Sequence, residues 1–312
     1  MEQIYKQLKQ FGHIRLNESL SKHTTFKIGG PADFFIEVSE VTKLSKLLSF
    51  ISSEGIEYFI IGCGSNLLFS DERYEGAVIK VKSSKLKVQG SDTIVADTGV
   101  LLSQVVLEAS KNSLAGLEWA AGVPGTVGGA VRGNAGAFGK NTSDCLEKVE
   151  IWRDGEILEL SHKECGFAYR ESDFKYSKDV LLRAWFKLVQ GEKKAIAKAM
   201  QEYLKLRTGR YPAYPNAGSF FKNVKLEKWS DKTSDLPEVF RKRGSIPAGW
   251  LVEQSGMKGF TIGGAKVSEE HGNFIVNFNQ ATQSEVLQVV EAVKEKVYNK
   301  FGVELEPEVE IV

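Results

Sequence analysis

The sequence predicts an α+β fold in two parts, and three observations carry that prediction. Strand-like and helix-like periodicities alternate through the first two-thirds of the chain. Glycine-rich loops interrupt them where neither helix nor strand propensity tolerates so many glycines. A segment carrying Gly209, Pro212 and Pro215 then precedes a C-terminal part that ends in a long amphipathic helix and a strand.

Taken in order, Phe34, Phe35, Ile36 and Val38 form a strand-like run, and Leu44, Leu47, Leu48 and Ile51 recur at helical spacing until Gly55 closes the helix. Residues 58–61 read as the next strand, so this stretch predicts a βαβ-like unit. AVIKV (77–81) and TIVAD (93–97) are strands by composition, and Leu101, Leu102, Val105, Val106 and Ala109 mark a helix after Gly99. Residues 148–160 resemble a hairpin turning at Asp154-Gly155, a dipeptide favoured by type I′ turns. Residues 180–189 add a strand and 193–207 a helix, with 208–216 as linker. Thr282 and Glu285 are spaced as a capping box for a helix with Val286, Val289, Val290, Val293 and Val297 on one face and Gly302 at its end. VELEPEVEIV (303–312) then reads as a final strand. The boundary falls after residue 207, giving regions 1–207 (parts 1–80 and 81–207) and 208–312, with the last strand packing back on the first region.

Composition narrows the function. Lys and Arg (41) balance Asp and Glu (40), so no single-signed field attracts nucleic acid or acidic lipid. At 42% hydrophobic and 26% charged residues the chain is ordinary globular protein. No apolar stretch approaches the roughly 20 residues of a membrane span, and MEQIYKQLKQ at the start carries no apolar run, so neither export nor insertion is expected. Cys63, Cys145 and Cys165 are odd in number and widely spaced, which disfavours a disulfide framework and a zinc site. No metal is expected. His13, His23, His162 and His271 fall at no metal-ligand spacing, and the expected location is the cytoplasm.

Gly62-Cys63-Gly64-Ser65-Asn66-Leu67 follows a strand and begins like GxGxxG, but Leu67 stands where the third glycine belongs. Such a loop presents backbone N–H groups, with Ser65 and Asn66 as side-chain donors, and suits either a diphosphate or a plain tight turn. Cys63 reads as a small buried residue, since no cysteine-hydrolase signature surrounds it. Gly122, Pro124, Gly125, Thr126, Gly128 and Gly129 form a second loop, and Asn134, Ala135 and Gly136 a third. Loops spread this far suit a long ligand such as a dinucleotide, and the absence of a Walker A lysine excludes a P-loop nucleotidase. Three polar clusters lie outside the loops: Tyr169-Arg170-Glu171-Ser172, then Ala217 to Asn223, then Glu306-Pro307-Glu308. Taken alone, Arg170 reads as a surface ion-pair partner, Ser219 as a turn residue and Glu308 as a solvated charge near the terminus. Together they supply an arginine to clamp a carboxylate, a hydroxyl to deliver a proton and a carboxylate to manage charge, the parts for reducing a double bond conjugated to an acid.

Seven segments in order resemble the bacterial UDP-N-acetylenolpyruvoylglucosamine reductases over nearly the whole chain: HTTFKIGGPAD (23–33), IIGCGSNLLF (60–69), GLEWAAGVPGTVGGAVRGNAGAFG (116–139), YRESDFK (169–175), NAGSFFKN (216–223), AGWLVEQSGMKG with IGGAKVSEEHGNFIVN (248–277), and LEPEV (305–309). The resemblance implies a two-part FAD-binding fold of the vanillyl-alcohol-oxidase type, followed by a smaller α/β substrate-binding domain. It implies non-covalent FAD, with the diphosphate near residues 62–67 and more of the cofactor along 122–129 and 134–137. NADPH would be the reductant, and a UDP-sugar enolpyruvyl ether the substrate. Arg170 matches the arginine that stabilises developing charge, Ser219 the proton donor to the α-carbon, and Glu308 the carboxylate assisting at the carboxyl end. Tyr169, Lys222 and Asn223 are candidates for gripping substrate. Val224 stands where the family commonly has proline. The short spacing from Arg170 to Ser219 resembles the variant without an extra substrate-covering loop, which leaves Tyr214 with no assigned role. A monomer is expected, since no heptad seam or long apolar edge strand is visible. An FAD-dependent oxidase of a small alcohol or hydroxy acid would share the loops without needing NAGSFFKN and LEPEV together. A silent binding module would not need Arg170, Ser219 and Glu308.

Overall fold

The computed structural model describes residues 2–209, 211–229 and 236–312, so Arg210 of the expected linker lies outside the described residues. The chain divides into two compact units: residues 1–18, 32–63 and 74–208 form the first, and residues 19–31, 64–73 and 209–312 the second. The single cut expected after residue 207 therefore leaves out two early segments that fold with the C-terminal part. Their apolar residues explain it, because Phe26, Ile28 and Leu68 are buried in the same core as Phe220, Ile246, Leu251 and Val293.

The first unit holds two large sheets beside two short two-stranded pairings. In the four-stranded sheet, Tyr74–Val81 lies between Pro31–Val38 and Tyr58–Ile61 and is parallel to both, with His13–Ser19 on the outer side of Pro31–Val38. The expected βαβ unit is thus present with a third strand inserted between its two. Helix Val41–Ser53 buries Val41, Leu44, Leu47, Leu48 and Ile51 in the core that also takes Phe34, Ile36 and Ile79. An N-terminal helix, Glu2–Leu8, was not expected; its short polar sequence carries little periodic signal.

The second sheet of this unit is antiparallel, in the order Glu156–Ser161, Leu146–Arg153, Val180–Lys187, Thr93–Asp97, Leu86–Gln89. Asp154 and Gly155 take φ of 48° and 94°, as a type I′ turn requires. All five residues of Thr93–Asp97 are buried. Asp97 is compensated by Arg183, whose Nε donates to it at 2.9 Å while Nη1 reaches Glu150 at 3.1 Å. Helix Leu102–Lys111 packs Leu102, Val105, Val106 and Ala109 into the same core as Trp119 and Phe186.

In the second unit, Thr261–Ile262, Ala265–Val267 and Ile275–Asn277 make a three-stranded antiparallel meander. Helix Gln283–Phe301 starts at the expected capping box, with Thr282 accepting from the Glu285 N–H at 3.2 Å, and stops at Gly302 in the left-handed conformation. The final strand is shorter than expected: only Glu310–Ile311 is regular, and it pairs in parallel with Leu67–Leu68. Pro307, which has no N–H to give a ladder, limits the upstream part to an isolated bridge with Phe221.

Candidate active site

In the first unit, Gly62 and the loops 122–129 and 134–136 are packed on one another and on the segment carrying Arg170, whereas Gly64 to Leu67 of the first loop belong to the second unit. Gly62 ends its strand against Thr126, so closely that a Cβ there would strike the Thr126 Oγ1. Thr126 caps helix Val127–Arg132, accepting from the Gly129 N–H at 3.4 Å. The second loop is also sewn to residues 98–102: Gly128 N–H donates to Thr98 O at 2.9 Å, Val127 N–H to Val100 O at 2.9 Å, and Leu102 N–H to Gly125 O at 3.0 Å. A Cβ at Gly128 would sit 3.0 Å from the Thr98 Cβ, and one at Gly122 3.0 Å from Leu204. What comes close to several of these glycines is therefore the chain itself.

Gly129 is different. A Cβ there would meet nothing nearer than the Thr126 Oγ1 at 3.8 Å, the residue is exposed, and its φ lies outside the left-handed region. Neither packing nor backbone conformation calls for glycine at a helical position where it costs about 1 kcal/mol relative to alanine. An open backbone face of this kind fits the close approach of a cofactor such as FAD.

Asn134 is buried, and its side chain is engaged by protein: Nδ2 donates to Ala168 O at 2.8 Å and Oδ1 accepts from the Ser143 N–H at 3.0 Å. Ala135 O accepts from the N–H and the hydroxyl of Thr142, at 2.8 and 2.9 Å. Gly136 lies against Lys140 and Arg170, and the Arg170 Nη2 donates to Gly136 O at 2.6 Å. Arg170 is half-buried, has φ of 59°, and stacks over the Tyr169 ring with its guanidinium carbon 5.0 Å from the centroid. Paired bonds between Ala168 and Glu171 at 3.1 Å, and Lys175 Nζ on Arg170 O at 2.6 Å, hold this strained corner in place.

Cys63, expected as a small buried residue, is half-buried. Burial pushes its thiol up, against the opposing pull of Lys80 and of a hydrogen bond from Gly125. The buried thiols Cys145 and Cys165 are pushed up to about 12, again by burial. None is presented as a thiolate. Among the described residues, no group of three His, Cys, Asp or Glu is placed to hold a metal ion, and no helix is long and apolar enough to cross a membrane.

The second unit brings Gly64, Asn66, Ser219, Lys222, Asn223 and Glu308 together by backbone pairing. Gly64, at φ 63°, is pressed against His23 and Thr24, and the Thr25 N–H donates to its carbonyl at 3.1 Å. Ser65, beside it, is half-buried in a turn. Asn66 Nδ2 donates to Glu308 O at 3.0 Å, and Glu310 N–H returns to Asn66 O at 3.0 Å. Glu308 N–H donates to Phe220 O at 2.7 Å, and Lys222 N–H to Glu306 O at 2.9 Å. Ser219 and Glu308 thus sit on adjacent, paired segments, both half-buried. The fully buried rings of Phe220 and Phe221, packed edge to face on each other, anchor the segment that follows Ser219. Lys222 Nζ lies 4.0 Å from Glu306, and the Asn223 Oδ1 accepts the Ala248 N–H at 3.2 Å, at the start of helix Ala248–Gln254. Val224 is buried in a short antiparallel pairing with Ile246. Arg170 belongs to the first unit, and Ser219 and Glu308 to the second.

Asn273 was not singled out by the sequence reading. It is 3% exposed and hydrogen-bonds the Phe220–Phe221 backbone. Its position in a loop gives no periodic signal that would mark it.

Comparison with known proteins agrees with this layout. Residues 32–161 match the family model described as FAD binding domain, and residues 211–312 match the model of the UDP-N-acetylenolpyruvoylglucosamine reductase C-terminal domain. The chain is 40% identical to the UDP-N-acetylenolpyruvoylglucosamine reductase of Carboxydothermus hydrogenoformans over 95% of this chain and 93% of that one. It is 40% identical to the protein of the same name from Anoxybacillus flavithermus, with 100% and 99% covered. The crystal structure of UDP-N-acetylenolpyruvylglucosamine reductase from Thermus caldophilus is similar with a TM-score of 0.77 at 32% identity, covering 96% of this chain and 99% of that one.

Proposed function

This chain belongs to the UDP-N-acetylenolpyruvoylglucosamine reductases, flavin-dependent oxidoreductases of peptidoglycan synthesis, and from that premise we propose that it reduces UDP-N-acetylglucosamine enolpyruvate to UDP-N-acetylmuramate with electrons from NADPH. Bound FAD would supply the hydride chemistry of both half-reactions, oxidation of NADPH and, from N5, reduction of the vinyl carbon distal to the carboxylate. Negative charge then develops on the enolate beside the carboxyl group. The Arg170 guanidinium stabilises that charge, and Glu308 assists at the carboxyl end. The Ser219 hydroxyl delivers the proton to the α-carbon. Tyr169, Lys222 and Asn223 grip substrate. Gly129, with the neighbouring Gly125 and Thr126 and the residues from Gly62 to Leu67, holds the cofactor without a covalent bond. The enzyme works in the cytoplasm as a monomer.

The observation that carries this reading is the pairing of the Ser219 and Glu308 segments through the Glu308 N–H on Phe220 O at 2.7 Å. It fixes a hydroxyl and a carboxylate on neighbouring backbone, the arrangement that protonation next to a developing carboxylate-side charge needs. Anaerobic stopped-flow absorbance tests the reading. The flavin band should bleach with NADPH and recover on addition of UDP-N-acetylglucosamine enolpyruvate. Recovery with oxygen alone would move the assignment to an oxidase.

A further inference from the structure

Asn273 closes the hydrogen-bond account of the two residues that follow Ser219. The Phe220 N–H donates to the Asn273 main-chain carbonyl at 2.7 Å. The Phe221 N–H donates to Asn273 Oδ1 at 3.0 Å, and Asn273 Nδ2 donates to Phe221 O at 2.9 Å. The remaining group, Phe220 O, accepts from Glu308 N–H at 2.7 Å. The Ser219 segment therefore has the 306–308 segment on one edge and, on the other, Asn273, whose main-chain carbonyl and side-chain amide together do the work of a strand. Asparagine alone among side chains of this size offers one donor and one acceptor in the plane that a peptide group needs. Both partners are buried, so losing either bond leaves a main-chain group with no water to replace it.

Resting on the reading of Ser219 as proton donor, we propose that Asn273 is a positioning residue for protonation: it sets the register of Ser219 against Glu308 by locking Phe220 and Phe221 between them. It touches neither the substrate nor the cofactor in this role. Its effect should fall on the oxidative half-reaction, because the reduction of flavin by NADPH needs no proton from Ser219.

The test uses the FAD-loaded enzyme with Asn273→Asp and Asn273→Ala. The aspartate keeps the size and the acceptor for Phe221 N–H but loses the donor to Phe221 O, so it covers the case in which the alanine variant fails to fold. Amide exchange at Phe221 reports the lock itself, independently of turnover. We expect faster exchange at Phe221, bleaching by NADPH unchanged, and reoxidation by the enolpyruvyl substrate slowed about tenfold or more, as expected for a displaced catalytic group. The solvent deuterium isotope effect on reoxidation should rise as proton delivery becomes limiting. Equal slowing of both half-reactions, or faster exchange at Phe221 with an unchanged reoxidation rate and isotope effect, would overturn the proposal. Failure of the wild-type enzyme to reoxidise with that substrate would instead overturn the functional reading on which it rests.

Discussion

The glycine loops of the first unit and the Ser219–Glu308 pairing of the second build functional surface by opposite means. In the loops, side chains are left out: Gly62, Gly128 and Gly136 let chain segments touch, and Gly129 leaves an open face. In the second unit, side chains are put in, and the buried Phe220, Phe221 and Asn273 hold the short extended segment that carries Ser219. The difference teaches that one kind of site is damaged by adding a methyl group and the other by removing a hydroxyl or an amide.

The largest effect expected from breaking this contrast is in the second unit. Ser219→Ala removes the hydroxyl without adding bulk and should slow flavin reoxidation by the enolpyruvyl substrate by about 10²–10⁴-fold, the usual range for a lost general acid. Bleaching by NADPH should stay intact in the same stopped-flow trace. If both half-reactions survive unchanged, Ser219 is not the proton donor.

In the first unit, two alanine substitutions should have opposite signs. Gly62→Ala drives a methyl into Thr126 and should destabilise the apoprotein by about 1–3 kcal/mol, as overpacking does. Gly129→Ala meets open space in a helix and should stabilise the apoprotein by about 0.5–1 kcal/mol while weakening FAD binding. Thermal melts of the apoproteins and FAD titrations of each variant separate the two. Undiminished FAD affinity in Gly129→Ala would show that the open face is not where the cofactor lies.

Much of this was legible in the sequence, for identifiable reasons. Helix Val41–Ser53, helix Gln283–Phe301 and the turn at Asp154-Gly155 announce themselves through local periodicity, a capping box and a turn dipeptide. Arg170, Ser219 and Glu308 stood out only as a set, and through a resemblance. The insertion of Tyr74–Val81 between two strands that precede it, and the return of residues 19–31 and 64–73 to the C-terminal core, depend on long-range burial that no local pattern encodes. Asn273 was invisible for the same reason, since its partners lie 52 residues away.

A smaller effect concerns Cys63, the one cysteine in the glycine loops. Burial pushes its thiol up, so at neutral pH it is not poised to bond a flavin. Cys63→Ala should remain yellow, and acid precipitation of either protein should release its flavin to the supernatant. Flavin retained in the wild-type pellet and lost from the variant would show a covalent link and erase the contrast between glycine packing and side-chain chemistry in this loop.

The smallest expected effect tests whether the two units lose structure together. Asp179, in the first unit, accepts from Arg153 through Nε at 2.7 Å and Nη2 at 2.6 Å, and these bonds hold its carboxyl below the ordinary value of 3.8. The pair's contribution is therefore complete above the unfolded-state value and disappears as pH falls through the lower folded-state one. Asp179→Asn should melt slightly below wild type at about pH 6, and the gap should narrow as pH falls below the ordinary carboxyl value of 3.8. Trp119, Trp152 and Trp185 report on the first unit, and Trp229 and Trp250 on the second. With single-tryptophan variants, a substitution at Asp179 should shift the transition seen by the first set and leave the second set where it was. A shift of the same size in both would show one cooperative transition, in which case the two modes of site construction share a common stability.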